Sequence, residues 1–156
     1  MKVLIPVDGS EPSIETIKAA AKFLDKPSSE IYLLTISVPV ASEVSWMLTQ
    51  DEEAMLNILS RAKLEAINVG LKVVKTEFST YLRPAAAICE YAHEIQADLI
   101  VMGSHGYQGL AKFLMGSVSE EVFKEAEQPV IVVRNDKTHT VEMSHFEEIG
   151  LQQIVK

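Results

Sequence analysis

Cysteine is almost absent: Cys89 is the only one among 156 residues. A lone cysteine excludes an internal disulfide and suits a reducing cytosol. It stands one place along from the apolar row Ala85, Ile88, Ala92 and Ile95, with no Lys, Arg or His evidently placed to activate it. A buried structural thiol is expected. Basic residues are also scarce, 14 Lys and Arg against 22 Asp and Glu, for a net charge of -8. That field repels a nucleic-acid backbone, and no basic stripe or basic–aromatic interleaving offsets it, so no nucleic-acid partner is expected. No apolar run approaches the ~18 residues of a membrane span, so no membrane role is expected either. Met1-Lys2 followed by Val3 to Val7 is too short for a secretory core and passes straight into a strand-like segment. A cytoplasmic location is the expectation.

Several chemical signatures are missing as well. His93, His139 and His145 lack zinc-ligand spacing and there is no cysteine pair, so no metal held by protein ligands alone is expected. No G-x-x-x-x-G-K-[ST] occurs, which excludes a P-loop, and no G-x-G-x-x-G follows the first apolar run. Lys112 is the one basic residue inside the later glycine-bounded loop, so the cationic hardware of phosphoryl transfer is not visible. His105, between glycines, invites an acid–base role, but no paired nucleophile and carboxylate can be assigned to it from spacing. No catalytic residue is assigned.

What is present is an alternation. Val3 to Val7 is a short apolar run closed by Asp8-Gly9-Ser10, a strand buried on both faces and then a turn. Ser10 or Ser13 caps the next helix, with Pro12 in its first turn and Ile14, Ile17, Ala21 and Leu24 at helical spacing up to Lys26-Pro27. Ile31 to Val38 is a second strand. Met55, Leu59, Ala62, Ala66 and Val69 then mark a longer helix stopped by Gly70, while Val44 to Met47 is ambiguous and Trp46 and Met47 are either core or lid. Leu71 to Phe78 reads as a third strand, Pro84 to Ile95 as a helix, and Leu99 to Met102 as a fourth strand. Ser117 to Ala126 is a helix and Pro129 to Val133 a fifth strand. Short apolar strands joined by helices predict a single three-layer α/β domain, a parallel sheet with helices on both faces. Residues 136–156 form a polar tail that is frayed, helical or part of an interface.

In such sheets, ligands bind beyond the carboxyl ends of the strands, where strand order reverses. Gly103, Gly106 and Gly116 punctuate the stretch from the fourth strand to the helix starting at Ser117. Backbone N–H groups ending at a helix N-terminus make a phosphate cradle. The same residues have a plainer reading. Ser117-Val118-Ser119-Glu120 is a capping box, glycine loops also serve merely as turns, and Asp8 alone caps a turn more readily than it touches a ligand.

Pro6-Val7-Asp8-Gly9-Ser10, Ala97 to Gly106, Gly116-Ser117-Val118 and Pro129 to Val133 together resemble the universal stress protein family over residues 1–135. Nucleotide-binding members of that family carry a glycine, two residues, a glycine, nine residues, a glycine and a serine or threonine. Gly103, Gly106, Gly116 and Ser117 fit that spacing. The resemblance implies a five-stranded parallel sheet in the order 3-2-1-4-5 and a homodimer formed through strand five, whose edge is otherwise unprotected. It implies an adenine nucleotide, ATP first, bound among Pro6, Val7, Asp8, Ile36, Met102, Gly103, His105, Gly106, Gly116, Ser117 and Val118. Asp8 and the Ile36 backbone then serve the adenine and its surroundings. Gly103 lies against the ribose, and Gly106, Gly116, Ser117 and Val118 hold phosphates, with Mg2+ bridging those phosphates.

The chain departs from the family pattern at Leu82-Arg83-Pro84, where Arg83 either reaches the nucleotide or lies in solvent, and at Tyr107, where relatives often carry arginine. The function expected is that of an ATP-binding, stress-type regulatory protein with an unidentified protein partner. Its alternatives are a slow metal-dependent ATP hydrolase and a nucleotide-free dimeric scaffold.

Overall fold

Val3, Leu4 and Ile5 are all fully buried, the outcome for a strand with helices packed on both faces. The computed structural model describes residues 1–39, 47–104, 116–134 and 141–143. Strand β1 (Lys2–Pro6) is followed by α1 (Glu11–Phe23), β2 (Glu30–Ser37), α2 (Met47–Asn68), β3 (Lys72–Thr80), α3 (Pro84–Glu94), β4 (Leu99–Gly103), α4 (Ser117–Glu125) and β5 (Val130–Val133). These five strands are parallel and lie in the order 3-2-1-4-5. The expected alternation and order are both present. Met47, ambiguous in the sequence, opens α2, while Val44 to Trp46 fall outside the described residues.

Alternate residues of each strand feed separate cores, as a two-residue side-chain period requires. Val3, Ile5, Ile31, Leu33 and Val101 pack with Ile14 and Ile17 of α1 and Leu59, Ala62 and Ala66 of α2. Leu4, Leu34, Ile100, Met102 and Val130 pack with Ile88 and Tyr91 of α3 and Val122 of α4. Each fully buried aliphatic side chain contributes about 1.5–3 kcal/mol, so the sheet is held from both sides. Cys89 is half-buried beside the second core.

The tail adds a sixth strand, β6 (Val141–Met143), antiparallel to β5 with Ile131 opposite Met143 and Val133 opposite Val141. Over these residues the tail is neither frayed nor helical. It supplies main-chain partners to the edge of β5, which the sequence reading left unpaired within one chain.

No helix among the described residues is long and apolar enough to cross a membrane.

Candidate functional site

Strands β1 and β4 are paired at Val3 with Leu99 and at Leu4 with Ile100. Further along, each follows its other neighbour: the Val7 N–H donates to Leu34 O of β2 at 2.8 Å, and the Ser104 N–H to Val133 O of β5 at 2.9 Å. Strand order reverses here, and α1 and α4, which follow the two strands, pack on opposite faces of the sheet, the topology that places a crevice at the carboxyl edge.

On the β1 side the crevice is floored by Val7-Asp8-Gly9-Ser10. Asp8 is exposed, and its Oδ1 accepts from the Ser10 N–H at 3.0 Å and the Ser10 hydroxyl at 2.5 Å. Ser10 in turn caps α1, accepting from the Ser13 N–H at 3.3 Å, so Ser10 rather than Ser13 is the cap. Asp8 therefore organises the turn through one carboxylate oxygen. Gly9 adopts φ +79°, and a Cβ there would stand 2.7 Å from Ile58 Cγ1 of α2. Arg61 of α2 also reaches the loop, at 3.4 Å from Gly9 O and 2.7 Å from Glu11 Oε2. Sequence reasoning missed Ile58 and Arg61, because nothing in a helix's own pattern says which loop it will press upon.

On the β4 side, Ser104 ends the strand and Gly116 opens α4. The Gly116 N–H donates to Ser104 O at 2.6 Å, drawing the two ends of the intervening segment together. The buried Ser119 hydroxyl reinforces this, lying 2.8 Å from Gly116 O and 3.2 Å from Ser104 O. The capping box read from Ser117 and Glu120 does not form. Gly116 is the N-cap, Ser117 is the first helical residue, and Glu120 pairs with Lys124 at 2.6 Å instead. The Ser117 side chain makes no hydrogen bond among the described residues, so its hydroxyl at the helix N-terminus is not spent on capping. Ser104 and Ser119 are the second omission of the sequence reading; a small buried polar side chain one turn into a helix was the available signal.

Pro6, Val7, Asp8, Met102, Gly103, Gly116, Ser117 and Val118 thus gather at one edge. Met102 and Val7 are core residues, and Val118 leans on the second core, so their side chains are committed to packing. Ile36 sits on β2 beside Ser79 of β3, half-buried against the second core. His105 and Gly106 lie outside the described residues, as do Tyr107 and Lys112. Arg83 lies at the surface with its side chain 61% exposed, the second of its two alternatives. It pairs with Glu125 at 2.9 Å and Glu121 at 3.6 Å, tying the start of α3 to α4. No group of three or more His, Cys, Asp or Glu able to hold a metal ion occurs among the described residues.

The profile of the universal stress protein family matches residues 1–134. The chain belongs to the universal stress protein family. A relative from Methanocaldococcus jannaschii, universal stress protein MJ0531, is 40% identical over 143 residues, 87% of this chain and 83% of its own. Among solved structures, MJ0577 from the same organism is similar at 30% identity with a TM-score of 0.73, covering 88% of this chain and 97% of that one. A universal stress protein crystallised with cAMP has a TM-score of 0.70 at 23% identity over 87% of this chain and 98% of its own. A family member from Arabidopsis thaliana with AMP bound has a TM-score of 0.66 at 18% identity, covering 88% and 93%. At those two lower identities the likeness is one of fold.

Proposed function

We propose that this chain binds an adenine nucleotide, ATP first, in the crevice between β1 and β4, and that occupancy regulates a homodimer or an unidentified cytoplasmic protein partner. The observation that carries the reading is the junction of Ser104, Gly116 and Ser117. It joins the two ends of the glycine-spaced segment and leaves the Ser117 hydroxyl unspent on capping at the N-terminus of α4. Such a terminus offers unspent N–H donors and a partial positive charge to phosphate. Family structures that hold cAMP and AMP support an adenine ligand.

The net charge of -8 opposes a bare polyphosphate, which is the physical reason to include Mg2+. The described residues offer no metal-holding cluster, so the phosphates themselves supply ligands to the ion in this reading. Asp8 retains Oδ2 for the adenine end, since Oδ1 is used by Ser10.

The direct test is to purify the protein, denature it and identify the released nucleotide by chromatography and mass spectrometry, with calorimetry of Mg-ATP on the emptied chain. Stoichiometric ATP or ADP, or saturable Mg-ATP binding, is the expected result. An empty protein that also fails to bind added Mg-ATP, AMP or cAMP overturns the proposal in favour of a nucleotide-free scaffold.

A further inference from the structure

Helix α2 carries apolar residues on two faces, and the fold of one chain uses only the first. Leu59, Ala62 and Ala66 are buried in the core, with Ile58 packed against it. The opposite face of a surface helix is ordinarily polar. Here it holds Leu56, Leu64 and Ile67, which are 48%, 60% and 53% exposed. Leu56, Ser60 and Leu64 follow one another a turn apart as a ridge, and Ile67 continues it. Scattered exposed leucines need no explanation, whereas contiguous ones mark a contact face.

Two further features say what covers this row. Ser60, its low point, sends its hydroxyl back to Leu56 O at 2.7 Å. The hydroxyl is thereby satisfied without water, and a second helix can approach closely there. Opposite charges also stand at either end of the row. Arg61 and Glu65 are committed to α1, through Glu11 at 2.7 Å and Lys18 at 3.9 Å. Glu53, ahead of Ser60, and Lys63, beyond it, are exposed and make no ion pair among the described residues.

We propose that this row is a contact face for a second copy of the chain, with two α2 helices crossing antiparallel at Ser60. Leu56 then meets Leu64 of the second copy on each side of the crossing, and Lys63 comes within a turn of Glu53 of the second copy. A parallel pair would instead set Glu53 against Glu53 and Lys63 against Lys63. A net charge of -8 on each copy opposes association, so the local pairing of opposite charges matters. Under a two-fold axis one self-complementary patch serves both copies. Helix α2 packs on β2 and β3, at the far end of the sheet from β5 and β6. The contact therefore leaves the β5 edge free and does not rest on nucleotide binding.

The test is sedimentation equilibrium of the full chain across about 1 to 300 μM, bracketing the dissociation constant on the order of 10 μM that a contact at the small end of specific interfaces gives. Leu64→Glu should weaken association about a hundredfold. Because Leu64 is exposed, that variant is expected to keep the parent's thermal melt. An assembly through β5 would survive Leu64→Glu, which tells the two faces apart. Glu53→Lys should weaken association about fivefold, and adding Lys63→Glu should restore it. Under mild oxidation Ser60→Cys should give a covalent dimer faster than the parent, which retains Cys89, or Lys72→Cys on β3. A chain monomeric throughout, a mass unaltered by Leu64→Glu, or cross-linking no faster at Ser60→Cys than at Lys72→Cys overturns the proposal. Failure of Lys63→Glu to restore association overturns the antiparallel crossing.

Discussion

Gly9 shows how closely one residue can be constrained by another element. Its φ of +79° already disfavours a side chain, and Ile58 fills the space a Cβ would need. Gly9→Ala is expected to cost about 1–3 kcal/mol in a urea melt, combining left-handed strain with displacement of α2. Gly116 is a different case. Its φ of -63° and ψ of 152° suit any residue, so nothing in the backbone demands glycine there. Gly116→Val is therefore expected to melt within about 1 kcal/mol of the parent yet lose Mg-ATP binding, because a branched side chain would occupy the proposed phosphate position. Unaltered calorimetric affinity in that variant would place the phosphates elsewhere. Cys89 can be checked by alkylation. Its thiol is held above the ordinary range chiefly by burial, with Glu125 and Glu90 adding and Arg83 opposing. At neutral pH it should react with iodoacetamide more slowly than in the urea-unfolded chain. The folded thiol keeps its proton to higher pH than the unfolded one. Its contribution to stability is thus complete below the ordinary thiol range and lost as pH rises from there through the raised folded value.

At the scale of elements, the junction between β4 and α4 depends on Ser119. Removing its hydroxyl takes away a donor shared between the carbonyls of Gly116 and Ser104. Ser119→Ala should cost about 1–2 kcal/mol and weaken nucleotide binding, measured by thermal melt and calorimetry on the same preparation. A loss of stability with full affinity would mean that the junction does not position the phosphate site. Arg83, joining α3 to α4, invites a larger claim than its setting permits. Its side chain is 61% exposed, and exposed ion pairs contribute about 0–1 kcal/mol. Helix boundaries were mostly legible from the chain: Pro12, Pro84 and the periodic Ile and Ala rows mark α1 and α3. The start of α4 at Ser117 was legible, but its cap was not. Ser117 looked like the cap because capping boxes are recognised by side-chain type, whereas Gly116 took the role once its N–H found Ser104 O.

At the scale of the molecule, the tail changes how a dimer through β5 must be built. Strand β6 occupies that edge by pairing with Ile131, Val132 and Val133. A dimer that uses the same edge requires β6 to leave, and an unpaired β5 edge is a ready template for a second copy. Deleting residues 136–156 is therefore expected to raise the dimer fraction, read by light scattering after size exclusion. An unchanged mass would indicate that β5 is not the dimer edge.

The chain by itself determined the layered α/β class, because all-apolar five-residue runs can only be satisfied between two helical layers and parallel strands need helical crossovers. Together with its family resemblance it also determined the strand order and the crevice, since Gly103 and Asp8 lie at strand ends and Gly116 at a helix start, positions that follow from topology. Only the tertiary structure decided which side chains meet across long stretches of sequence. Ile58 against Gly9, Arg83 against Glu125 and Ser119 against Ser104 are pairings of this kind. Periodicity reports which face of an element is apolar. Three-dimensional packing alone chooses the neighbour that face receives, and an edge strand accepts any extended segment brought within reach.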